Sequence, residues 1–97
     1  KTFLRFELNG GSLDSDQVRK YFPAERYQFW ENQVIDLHKL GDTDNMTRKL
    51  KGLLLPFRKN LSSDDILEVY LSIEYLNPDS LERKMYDNKM IYSTRDD

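Results

Sequence analysis

Apolar and polar residues alternate most cleanly between Ile66 and Leu76, where Leu67, Val69, Leu71, Ile73 and Tyr75 fall on one side and Glu68, Tyr70, Ser72 and Glu74 on the other. A period of two over this length predicts a strand with one dry face. The same period opens the chain: Leu4, Phe6 and Leu8 point one way and Phe3, Arg5 and Glu7 the other, which predicts a first strand over Thr2 to Leu8. Asn9-Gly10-Gly11-Ser12 ends it, because glycine supplies the positive φ angles of a tight exit. A phosphate cradle there would need a lysine with Ser or Thr, or a third glycine, and the run has neither.

Helical signals follow. In Leu13-Asp14-Ser15-Asp16-Gln17-Val18, Asp14 can cap, Gln17 can reach back to it and Leu13 can staple against Val18. This helix is expected to run to about Phe22, where Pro23 disfavours helical geometry in the residue before it. Arg26 to Leu40 carries two aromatic or β-branched runs, Arg26 to Trp30 and Val34 to His38, separated by Glu31-Asn32-Gln33, and reads as a hairpin. Gly41 to Asn45 is a polar loop. From Met46 to Leu61 the residues Met46, Leu50, Leu53, Leu54, Phe57 and Leu61 share one side of a helix, with Arg48, Lys51, Arg58 and Lys59 opposite and Leu55 exposed among them. Pro56 should kink or break that helix near Leu55, at a cost of about 3 kcal/mol or more.

After the 66–76 strand, Asn77-Pro78-Asp79-Ser80 reads as a helix start with Asn as cap and Pro in the first position. A short helix to about Asp87 and an edge strand over Lys89 to Thr94 are expected, with Arg95-Asp96-Asp97 as a tail. A rival parse makes 81–92 a hairpin turning at Asp87-Asn88. The whole order, βαββαβ with a C-terminal helix and edge strand, is that of a ferredoxin-like α+β sandwich with two helices on one face of an antiparallel sheet.

Ninety-seven residues make a single domain over 1–97, so any function must sit on one body. Fifteen Lys and Arg against 17 Asp and Glu leave a net charge of −2, which gives no bulk field toward nucleic acid or anionic lipid. Cysteine is absent, which excludes disulfides and thiolate chemistry and suits a cytoplasmic address. No apolar run approaches the ~20 residues of a membrane span. The start, Lys1-Thr2-Phe3, reads as a strand rather than a signal, and a signal removed before residue 1 stays open.

Candidate chemistry is sparse. His38, the only histidine, lacks an orienting partner and a nucleophile in the sequence, so a surface role is expected. Asp64, Asp65 and Glu68 lack the spacing of a calcium loop, and no metal or cofactor site is expected. A βαββαβ sheet leaves one face uncovered, and alternation would display Phe3, Arg5, Trp30, Val34, His38, Ile66 and Tyr70 there, among Glu7, Gln28, Asp36, Glu68, Ser72 and Glu74. Aromatics on an open sheet can stack bases or anchor a protein interface. The acids would repel phosphate, and the 34–40 strand lacks the Lys/Arg-Gly-Phe-aromatic signature of RNA-recognition modules, so a protein partner or self-association fits better. Phe3, Trp30, His38 and Tyr70 are therefore the candidate partner-binding residues. Nucleic-acid binding through Arg48, Lys51, Arg58 and Lys59 is the alternative.

The opening from Phe6 through Leu13-Asp14-Ser15-Asp16-Gln17-Val18 to Phe22-Pro23-Ala24-Glu25, followed by an aromatic run with Trp30, resembles a bacterial family of uncharacterised small proteins. In that family a first strand leads to a Leu-Asp-x-x-x-Ile/Val helix, a proline turn and a Trp-containing hairpin. The resemblance implies a stand-alone interaction protein without catalysis, of the kind that serves as an inhibitor or immunity-type partner.

Overall fold

The computed structural model describes residues 1–20, 24–77 and 79–96. Its elements in chain order are β1 (Thr2–Leu8), β2 (Gly11–Ser12), α1 (Ser15–Arg19), α2 (Ala24–Lys39), α3 (Thr43–Arg58), β3 (Leu67–Asn77) and β4 (Ser80–Ser93), closed by a 3₁₀ turn at Thr94–Asp96. The four strands form one antiparallel sheet in the order β2-β1-β3-β4. The protein is thus α+β, with a sheet on one side and an αα-hairpin on the other.

The first strand, its exit and the α1 cap follow the sequence closely. Asn9 and Gly10 both adopt positive φ, 52° and 84°, which folds β2 back on β1. This turn is the role of the glycine run. The Asp14 carboxylate caps α1 while its own N–H donates to Gln17 Oε1 at 2.9 Å, completing a capping box. Leu13 and Val18 line the same apolar hollow with Phe6 and Phe57, as a staple requires. α1 ends at Arg19 with Lys20 as its C-cap, short of the expected Phe22, and the stop expected at Pro23 lies outside the described residues.

The hairpin expected over 26–40 is instead the helix α2, and the ferredoxin-like βαββαβ order fails with it. Tyr27, Glu31, Val34 and Ile35 are buried at intervals of four, three and one, the spacing of a helix face. No Gly or Pro interrupts 24–40, and Gly41, at φ 74°, closes the helix. There the N–H of Asp42 donates to Leu37 C=O and that of Gly41 to His38 C=O, both at 3.0 Å, a Schellman ending. The Trp-containing hairpin implied by the family resemblance is absent for the same reason: Trp30 lies within α2.

α3 starts at Thr43, three residues before the expected Met46, because Asp42 caps it through the N–H of Asn45. It runs unbroken through Pro56 to Arg58. Only the final two residues lie beyond the proline, so the expected break does not occur. Met46, Leu50, Leu53, Leu54 and Phe57 are buried, and Leu55 is 54% exposed, as the periodicity predicts. These side chains meet Leu4, Phe6, Leu67, Val69, Leu71 and Tyr92 of the sheet to make one core. Burying each Leu, Val or Phe contributes about 1.5–3 kcal/mol, so this cluster dominates the stability.

At the C-terminal end the expected helix from Asn77 to Asp87 is a strand. β3 and β4 pair antiparallel as far as Asn77 and Ser80, and Asp87-Asn88, the turn of the rival parse, lies mid-strand. The expected edge strand over Lys89 to Thr94 overlaps the C-terminal end of β4. A bulge near Tyr70 places an extra β4 residue opposite the Val69/Tyr70 step. The body measures 44 × 28 × 27 Å, and Ile73 and Tyr75, on the helix side of β3, are partly exposed.

Candidate interaction face of the sheet

Because side chains alternate along a strand, the face turned away from the helices can be read from the register. It carries Phe3, Arg5 and Glu7 of β1, Ser12 of β2, Glu68, Tyr70, Ser72 and Glu74 of β3, and Tyr86, Asn88 and Met90 of β4. Arg5 lies at its middle. Its register partner is Tyr70, and the guanidinium carbon sits 4.8 Å from the centre of the Tyr70 ring. One guanidinium nitrogen donates to Glu7 Oε1 at 2.7 Å and to Ser12 Oγ at 3.1 Å. A stacked, doubly bonded arginine has little rotamer freedom left, so the face has a fixed positive centre.

Around that centre lie aromatic and acidic groups. Phe3 meets Tyr86 edge-on, with ring centres 6.5 Å apart and planes at 88°, and Lys1 Nζ stands 5.9 Å from the Phe3 ring centre. Ser72 is fully buried beneath this surface and its hydroxyl donates to Asn88 Oδ1. Phe3, Arg5, Ser72, Tyr86 and Asn88 together line a shallow hollow. The Tyr70 phenol is held above its ordinary pKa, first by partial loss of water and then by the Glu68 and Glu7 carboxylates, with Arg5 opposing. Tyr86 and Met90 are 52% and 47% exposed, large apolar groups beside a charged rim.

Of the residues expected here, Phe3 and Tyr70 are in place. Trp30, Val34 and His38 are not, because α2 carries them on the other side of the sheet. Trp30 is half-buried against the core, Val34 is fully buried, and His38 sits half-buried in the last turn of α2, a position that suits a cation. Gln28 and Asp36 are exposed on the same helix, and Ile66 precedes β3, where its backbone pairs with Asn9. The sequence reading missed Tyr86, Asn88 and Met90. Their two-residue spacing is the signal that an alternating strand would have given.

The basic residues of α3 occupy the outer face of the helix. Arg48, Lys51 and Lys59 are exposed, and Arg48 and Lys51 border a hollow that also holds Asp44 and Thr47. Arg58 is turned inward, where its guanidinium donates to the Tyr92 hydroxyl at 3.4 Å. Asp65, weighed as a cation ligand, instead accepts from Asn9 Nδ2 and from the Ser62 N–H, each at 2.9 Å. These bonds lower its pKa. Among the described residues no group of three or more His, Asp or Glu side chains could hold a metal ion, and no helix is long and apolar enough to cross a membrane. No protein-family model, curated protein or solved structure matches the chain.

Proposed function

We propose that the protein is a non-enzymatic binding module that engages a protein partner through the open face of its sheet, in the manner of an inhibitor or immunity-type protein. The observation that carries this reading is the composition of that face. Phe3, Tyr70, Tyr86 and Met90 supply aromatic and thioether anchors around a fixed Arg5, and Glu7, Glu68 and Glu74 form an acidic surround. Aromatic residues, Met and Arg are the groups enriched at the centre of protein interfaces, with charge toward the rim. The same acids disfavour phosphate and hence nucleic acid. A partner with an apolar centre and basic surroundings fits best.

Affinity capture from the native host with the wild-type chain, the Phe3→Ala/Tyr70→Ala variant and the Arg48→Glu/Lys51→Glu variant tests this. A protein retained by the wild type and the α3 variant, and lost with the sheet variant, is the expected result. Retention by the sheet variant together with loss by the α3 variant moves the site to the basic helix face.

A further inference from the structure

β4 is the last strand of the sheet, and among the described residues nothing pairs with its outer edge. The register shows which backbone groups that edge presents. The Glu74 N–H donates to Lys1 C=O at 2.7 Å and the Ile66 N–H to Asn9 Oδ1 at 2.8 Å, so even-numbered residues of β3 turn their backbone groups toward β1 and odd-numbered ones toward β4. Leu71 and Ile73 are register partners of Lys89 and Asp87, which therefore bond inward. Tyr86, Asn88 and Met90 direct their N–H and C=O groups outward, along a stretch without proline.

We propose that this edge pairs antiparallel with β4 of a second copy of the chain, about a two-fold axis at Asn88, to give one continuous sheet. An edge of alternating donors and acceptors is complementary to another extended strand, and a two-fold makes the two requirements identical. In this register Asn88 faces Asn88 of the second copy, and Tyr86 faces Met90, an aromatic-thioether contact. Asp87 then faces Lys89 of the second copy, and Lys89 faces its Asp87. These pairs fall at non-hydrogen-bonded positions, where side chains approach most closely.

Lysine on an edge ordinarily discourages strand addition. Here each lysine meets a carboxylate in one register, and a slip by one residue pair on either strand breaks both contacts. The shape of the subunit agrees. A two-fold axis perpendicular to the sheet keeps both helical layers on one side, while the strands run in opposite directions. The end of each hairpin where Ile73 and Tyr75 are partly exposed then lies beside the end of the other subunit's β4 where Tyr92 is buried. Tyr86 and Met90 belong to the open face as well as to this edge, whereas Asp87 and Lys89 lie on the opposite face, so changing those two charges tests the pairing apart from the function proposed above.

Sedimentation velocity across a concentration series tests it, with far-UV circular dichroism to verify the fold of each variant. The wild type should dimerise. Asp87→Lys and Lys89→Asp should each weaken the dimer by about tenfold or more, because both cross-strand pairs become repulsive. An equimolar mixture of those two variants should associate as well as the wild type, since attraction returns only between unlike chains. Asn88→Pro removes an outward N–H and also the acceptor of the Ser72 hydroxyl, so it is compared with Asn88→Ala, which loses that acceptor alone: the alanine variant should still dimerise and the proline variant should be a folded monomer. A wild type that stays monomeric at millimolar concentration overturns the proposal, as does a dimer indifferent to both charge changes.

Discussion

The Glu31 carboxylate on α2 accepts the backbone N–H of Leu4 on β1 at 3.2 Å, and this bond closes the part of the sheet edge that β2 is too short to reach. β2 pairs only with Glu7 and Leu8, and the carbonyl of Phe6 is taken by the Leu13 N–H at 2.9 Å. Glu31 is 8% exposed and also accepts from the Tyr27 hydroxyl at 3.1 Å. On one side of the sheet a helix side chain thus caps the edge at Leu4, while among the described residues nothing pairs with the outer edge of β4. Replacing Glu31 with Leu should destabilise the fold by about 1–3 kcal/mol, the cost of an unsatisfied buried donor, whereas Gln, which keeps an acceptor, should cost less. Urea denaturation of the two variants checks the order.

A second contrast lies along α3. Leu50 is fully buried and Leu55 is 54% exposed. Leu50→Ala should lose about 2–5 kcal/mol through lost burial and a residual cavity, and Leu55→Ala should stay within about 0.5 kcal/mol of the wild type. Equal losses in thermal or urea unfolding would mean that the helix is rotated from the orientation described.

Asp65 makes a pH prediction whose sign is fixed by its partners. Bonds from Asn9 and the Ser62 backbone favour the carboxylate, so its folded pKa lies below the ordinary value. A depressed carboxylate contributes stability at pH above its unfolded pKa, and loses that contribution as pH falls through the folded value. The stability difference between wild type and Asp65→Asn should therefore be constant near neutrality and shrink in acid, below the normal carboxylate range. Melting temperatures from pH 7 down to acid unfolding measure it, and a difference that grows on acidification would contradict the assignment.

Trp30 separates core from interface. It packs against the core from α2, on the side of the sheet opposite Phe3 and Tyr70. Trp30→Ala should lower stability by about 3 kcal/mol or somewhat less, given its partial exposure, and leave partner affinity unchanged once the protein is folded. Binding at the open face should likewise leave the emission wavelength of Trp30 in place.

The strands at Thr2–Leu8 and Leu67–Asn77 and the apolar stripe of α3 were legible because each buries one face, and burial imprints its period on the sequence. α2 was misread because Tyr27, Phe29, Trp30, Val34 and Ile35 favour strands locally, and Glu31-Asn32-Gln33 resembles a polar turn. The helix forms because its buried positions keep helical spacing and Glu31 is drawn inward by the Leu4 N–H. The start of β4 was misread because the sequence Asn77-Pro78-Asp79-Ser80 has the composition of a helix start, whereas β4 begins at Ser80. The bulge at its far end further obscures the alternation. These two errors also explain the candidate site: Phe3 and Tyr70 come from legible strands, Trp30 and His38 were placed by a false hairpin, and Tyr86 and Met90 were hidden in a false helix.

The most direct test of binding through the open face is a backbone chemical-shift map of the labelled chain titrated with its captured protein partner. Perturbations should concentrate at Phe3, Arg5, Glu7, Tyr70, Glu74 and Tyr86, with α3 near Arg48 and Lys51 unmoved. A map centred on α3, with the sheet face unchanged at saturation, would contradict that reading.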